Sequence, residues 1–95
     1  MTCYRTRTFR ALLAKLPPDV QALARERFAA FVADPWAPPL HRKALQGRPP
    51  YEEVRVGYRY RAIFRPGNRD GDRDVYIWMW IGPREGLDTT IARLP

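Results

Sequence analysis

A chain of 95 residues carries 17 Lys and Arg against 10 Asp and Glu, for a formal charge of +7, and a single cysteine. It has no apolar run near the ~20 residues a membrane-spanning helix needs, no long apolar stretch of the kind found in secretory signals, and no second cysteine for an internal disulfide. The expectation is one small domain over residues 1–95, without a membrane partner, in the reducing cytoplasm.

Taken in chain order, residues 2–8 alternate loosely and are rich in Thr and Tyr, which suits a first strand. Phe9, Leu12, Leu13 and Leu16 recur at helical spacing up to Pro17-Pro18. Pro18 suits the first turn of a second helix and Asp19 its positive end, while Val20, Leu23, Ala24, Phe28 and Phe31 form one stripe. Asp34-Pro35 ends that helix, because a residue before proline is driven out of the α region. Residues 35–50 are proline-rich and irregular, with Leu40 and Leu45 as anchors onto the core. Strands follow at about 51–57, 58–65 and 74–81, with a turn-rich hairpin loop over 66–73. A short helix around Leu87–Arg93 completes the chain. The order is strand, two helices, three strands: an α+β fold with a four-stranded sheet.

Period-two alternation assigns the faces. Tyr58, Tyr60, Ala62 and Phe64 share one side of the central strand, and Arg59, Arg61, Ile63 and Arg65 the other. On the last strand Val75, Ile77, Met79 and Ile81 oppose Tyr76, Trp78 and Trp80. The first of these sets is expected under the helices, and the aromatic set on the open face. The alternative is that Trp78 and Trp80 pack under the tail and the long loop.

The basic residues are not evenly spread. Residues 41–65 hold Arg42, Lys43, Arg48, Arg55, Arg59, Arg61 and Arg65 against Glu52 and Glu53. Arginine outnumbers lysine fifteen to two, and its planar fork suits phosphate contact and stacking on bases. A biased composition would account for the ratio but not for the clustering. A strand face carrying guanidinium groups and rings fits a polyanion with stackable bases, so RNA is the first candidate partner. An ion pair from Arg61 to Glu52 or Glu53 across the hairpin is the competing structural role. Other chemistries find little support. One histidine and one cysteine give no metal-ligand cluster, no serine is present as nucleophile, Cys3–His41 is a poor pair so near the terminus, and no Gly-rich phosphate loop occurs. No metal and no cofactor are expected.

The ordered pattern Phe9…Leu16-Pro17…Val20-Gln21…Asp34-Pro35…Leu40…Lys43…Leu45…Gly47, then Val54-Arg55-Val56-Gly57…Tyr60-Arg61-Ala62, then Ile77-Trp78…Trp80-Ile81-Gly82…Asp88 resembles the RelE/ParE superfamily of type II toxins, and within it the RelE-like cytotoxin branch. The resemblance covers about residues 9–88. It implies a RelE-like α+β fold, with two N-terminal helices on a twisted, mainly antiparallel four-stranded sheet and a short C-terminal helix or tail. It also implies a bacterial toxin held inactive by a cognate antitoxin, acting in the cytoplasm. Its action would be to cut mRNA in the ribosomal A site by attack of a ribose 2′-hydroxyl on the adjacent phosphate. A gyrase poison of the ParE type, or an inactive antitoxin-binding protein, are the alternatives.

By this resemblance Arg61 is the first candidate for phosphate contact and Arg84 the second, as a transition-state clamp or leaving-group stabiliser; Glu85, beside Arg84, is added to the candidate catalytic groups as a substitute proton carrier. Lys43, Arg55, Arg59, Arg65 and Tyr58 are candidates for RNA or ribosome binding. The chain departs from the pattern at Glu52-Glu53, where RelE has lysines nearby, and at Arg84 and Leu87, where the cytotoxin branch often has His and Tyr. A conventional general base is thus missing from the expected places, and Glu85, Glu53, Tyr58 and His41 are the groups that could substitute.

Overall fold

The computed structural model describes residues 1–67 and 75–95. Strand β1 (Thr2–Arg5) leads into helices α1 (Arg7–Ala14) and α2 (Pro18–Ala33). A single 3-10 turn at Pro38–Leu40 precedes the two-residue strand β2 (Lys43–Ala44), then β3 (Glu52–Val56), β4 (Tyr60–Pro66) and β5 (Val75–Pro83). A second 3-10 turn at Arg84–Gly86 opens into α3 (Leu87–Arg93). Most of the expected 66–73 hairpin loop lies outside the described residues. No helix among the described residues is long and apolar enough to cross a membrane.

Local chemistry sets the helix ends. The Thr6 hydroxyl accepts from the Phe9 amide at 3.1 Å and caps α1. Pro18 sits at the start of α2 with Asp19 in its first turn. At the far end, the Asp34 carboxylate accepts from the Trp36 amide at 3.0 Å and turns the chain away.

The sheet has five strands in the order β1-β5-β4-β3-β2, with β1 parallel to β5 and the other pairs antiparallel. The expected four-stranded sheet is therefore extended by β2, which pairs Lys43 with Glu53 and Ala44 with Glu52. Neither Lys nor Ala favours strands, so the sequence carried no signal for it. Phe9, Ala24, Phe31 and Leu40 pack on Val54, Val56, Ala62, Phe64, Trp78 and Ile81 to form the larger core. Phe31, Phe64 and Trp78 meet edge-on or tilted, with centroids 4.9–5.3 Å apart.

That core corrects the face assignment of β5. Phe64 pairs with Trp78 but Ile63 pairs with Trp80, so Met79 is an extra residue in a β-bulge. The bulge reverses the alternation partway along the strand. Tyr76 and Trp78 face the helices, as does Ile81 beyond the bulge, while Met79 and Trp80 join the second cluster on the other side. Val75 and Ile77, expected under the helices, are not part of that core. The second cluster places Leu45, Tyr51 and Ile63 with Met79 and Trp80 under Leu87, Ile91 and Leu94 of the tail. Of the two tryptophans, only Trp80 packs under the tail. The Arg48 guanidinium donates to the carbonyls of Ile91 and Leu94 and so fastens the end of α3.

The turn between β3 and β4 is tight because Gly57 adopts φ +71. A Cβ there would stand 2.7 Å from Leu23 Cδ2. Gly57→Ala is expected to lower stability by about 2 kcal/mol through left-handed strain and displacement of Leu23, measured as a shift in the urea midpoint.

Candidate functional site

Two cross-strand rows on the sheet face away from α1 and α2 bring the chemistry together. One row is Lys43, Glu53, Ile63 and Trp80; the next is Arg55, Arg61 and Gly82. Arg55 and Arg61 are directly opposite across β3 and β4. Like charges in that relation destabilise a sheet, and among the described residues neither arginine has a carboxylate within ion-pair distance. The acids expected to compete for Arg61 are engaged elsewhere. Glu52 takes a two-pronged contact from Arg42 at 2.8 and 3.0 Å, and Glu53 pairs with Lys43 at 3.2 Å.

Arg61 is only 7% exposed. Its Nη1 donates to the carbonyls of Tyr58 at 3.0 Å and Tyr60 at 2.9 Å, which fixes the guanidinium against the hairpin turn. Both bonds come from one nitrogen. The remaining donors of the fork have no protein partner among the described residues. Burial, then Arg55 and more weakly Arg84, push the Arg61 pKa below its ordinary value, against the opposing pull of Glu53 and Tyr58. A guanidinium stays charged at neutral pH even so. The fold therefore holds a cation in a place that disfavours it, and an incoming anion relieves the conflict.

Arg84 follows β5 directly. Its amide donates to the Arg59 carbonyl at 2.8 Å, tying the 3-10 turn to the β3–β4 hairpin. Its guanidinium carbon lies 4.6 Å from the centroid of the Tyr58 ring. Its pairing with Glu85 at 3.9 Å is long and solvent-exposed, and holds it weakly. The structure thus groups Arg55, Arg61, Arg84 and Tyr58, with Arg59 exposed in the turn and Glu85 beside Arg84.

A cleft of about 580 Å³ opens between this face and α3, with Lys43, Gln46, Glu53, Leu87, Asp88 and Ile91 among its walls. Glu53 is 3% exposed, and its buried Oε2 has no hydrogen-bond partner among the described residues. Sequence alternation places Glu53 on the Arg61 side, but nothing in the sequence announced its burial. Trp80 lies across Gly82, where a Cβ would be 2.6 Å from the indole Cζ2; that glycine, the register partner of Arg61, leaves room for the ring. Arg65 stands apart. It is four residues further along β4, about 13 Å at the rise of a strand, and its guanidinium turns to the Pro66 carbonyl at 3.4 Å. His41 is exposed at the end of the first 3-10 turn and does not line the cleft. Among the described residues no three His, Cys, Asp or Glu side chains come together as metal ligands would.

No protein-family model matches the sequence, and no curated protein matches it significantly. Solved structures do match in shape. A YoeB/ParE toxin from Agrobacterium tumefaciens superposes with a TM-score of 0.69 at 11% identity, covering 88% of this chain and 99% of that one. A RelB–RelE antitoxin–toxin complex from Methanococcus jannaschii gives 0.68 at 16% identity, with 92% and 96% covered. The RelBE2 toxin–antitoxin complex from Mycobacterium tuberculosis gives 0.67 at 24% identity, with 87% and 96% covered. The fold is that of the RelE/ParE-type toxins.

Proposed function

We propose that this chain is the toxin of a bacterial toxin–antitoxin pair, acting in the cytoplasm as a metal-independent endoribonuclease on mRNA in the ribosomal A site. The observation that carries the reading is the Arg55–Arg61 pair, without an ion-pair partner among the described residues, on the sheet face turned away from α1 and α2. In the reaction the 2′-oxygen bonds to phosphorus as the bond to the 5′-oxygen breaks, leaving a 2′,3′-cyclic phosphate and a 5′-hydroxyl. Negative charge grows on the non-bridging oxygens, and Arg61, immobilised by two carbonyls, is their donor. Arg84, on the adjoining turn, is suited to the leaving oxygen.

The proton of the 2′-hydroxyl needs an acceptor. Glu53 is the best-placed carboxylate, since it lies on the same face of β3 as Arg55 and is among the residues lining the cleft. Glu85, exposed beside Arg84, is the candidate that returns a proton to the leaving oxygen. Lys43, Arg55, Arg59 and Tyr58 line the approach of the RNA, with Arg65 an outlying contact for the ribosome.

Two of the structural neighbours are toxin–antitoxin complexes, which supports a cognate antitoxin as partner. An acidic segment laid over the same arginines would neutralise the site. Dissociation of that complex is expected to rise steeply between 0.05 and 0.5 M salt, roughly tenfold or more; a dissociation constant indifferent to salt would remove the arginines from the interface.

Induced expression in a bacterial host tests the reading. Incorporation of labelled amino acid should collapse within minutes while DNA synthesis continues. An SOS response with continuing translation would instead identify a gyrase poison of the ParE kind, and unimpaired growth an inactive binder.

A further inference from the structure

Tyr58 sits in the middle of the three-residue turn between β3 and β4 and is 70% exposed. A ring so exposed adds little to the core, yet the residue is held at two points, one on its backbone and one on its ring. Its carbonyl accepts from Arg61 Nη1 at 3.0 Å, and its ring stacks against the Arg84 guanidinium at 4.6 Å. Trp36 is held differently. That ring is also exposed, at 65%, and lies 3.8 Å from the Arg42 guanidinium. Arg42, however, is committed to Glu52 by two hydrogen bonds, which gives the stack a structural task. Among the described residues Arg84 has only the 3.9 Å ion-pair contact to Glu85. The Tyr58 stack therefore has no comparable structural task, and it stands beside Arg61, which has no carboxylate within ion-pair distance among the described residues.

We propose that Tyr58, backed by Arg84, is a stacking platform for a nucleobase of single-stranded RNA, next to the phosphate that Arg61 holds. The base lies on the ring face turned away from Arg84. The inference rests on the RNA reading above and adds a base-binding subsite to it. Stacking of this kind tolerates every base, because each has a π face. Arg84 then has two tasks, backing the ring and meeting the leaving oxygen, which places the ring within one residue of the reacting group. The Arg61 bond fixes the turn that carries the ring and the Arg84 contact restricts its rotamers before the RNA arrives, so less is lost on binding.

The test is fluorescence anisotropy with a short, uncleavable 2′-O-methyl RNA and with the same backbone lacking bases at its central positions. Tyr58→Phe should bind the base-bearing RNA within about twofold of the wild type. Tyr58→Ala should bind it about 5- to 150-fold more weakly, the equivalent of roughly 1–3 kcal/mol per stacked base, and should bind the abasic strand as the wild type does. An unchanged melting temperature for Tyr58→Ala would confirm that the fold is intact. Equal losses on both strands, or none on either, would overturn the platform. If Arg61→Ala weakens binding but Tyr58→Ala does not, the platform falls and the RNA site stands. If neither variant affects wild-type-level binding, or the wild type binds neither strand, the RNA site itself falls, and the platform with it.

Discussion

Arg61→Ala is expected to lower RNA cleavage by about 10²- to 10³-fold, the loss typical for one fixed donor to a developing oxyanion. The size follows from the way the side chain is held. Its Nη1 is spent on the Tyr58 and Tyr60 carbonyls, and the rest of the fork points at no protein acid among the described residues. Burial and the facing Arg55 disfavour its charge in the free protein, so the energy gained on meeting a doubly charged phosphorane is larger than for a relaxed surface arginine. Arg61→Lys keeps the charge but loses the planar fork and the two-carbonyl clamp. It should recover only part of the activity, in assays of cleavage rate on programmed ribosomes. Arg55→Ala should behave differently. It removes a like charge opposite Arg61, so stability should be unchanged or higher by up to about 1 kcal/mol, while RNA affinity falls and loses part of its salt dependence.

Arg42→Ala should produce the largest loss of stability, about 3 kcal/mol. This is roughly 12–24 °C in melting temperature for a domain of this size. Arg42 comes from the irregular segment before β2, yet it is a hub of the fold. It grips both oxygens of Glu52, stacks under Trp36, and has Phe31, Phe64 and Tyr76 within 6 Å of its guanidinium carbon. Its removal leaves a half-buried carboxylate without its partner and a gap against three rings. The double variant Arg42→Met with Glu52→Gln should be markedly less damaging than the sum of the single changes, because it removes both charges. Chemical denaturation of the four proteins gives the coupling directly. Additive losses would mean that the pair contributes nothing beyond packing.

The parts of the fold legible in the sequence are those written in long, regular signals. The stripes of α1 and α2, the Pro18 start and Asp34-Pro35 end of α2, the Leu40 and Leu45 anchors and the closing helix Leu87–Arg93 all stand where spacing and turn chemistry place them. Single-residue events were not legible. The bulge at Met79 has no residue type that marks it, and it moved Trp78 into the helix-facing core while leaving Trp80 under the tail. Strand β2 is two residues long and exists because β3 offers an edge, not because Lys43 and Ala44 favour a strand. The grouping of Arg55 and Arg61 was readable from alternation. The acids were not, since pairing Glu52 with Arg42 rather than Arg61 depends on where a proline-rich segment returns to the sheet. The same return puts Lys43 over Glu53 and buries that carboxylate at the cleft.

Cutting of RNA by 2′-hydroxyl attack at Arg61 leaves a chemical signature on the new ends. Sequencing of RNA 5′ ends after brief induction, in wild-type and Arg61→Ala cells, tests it most directly. New 5′-hydroxyl ends are expected within translated codons for the wild type, and their loss in the variant at equal protein level. Intact mRNA in the wild type, or the same ends at undiminished frequency in the variant, would contradict it.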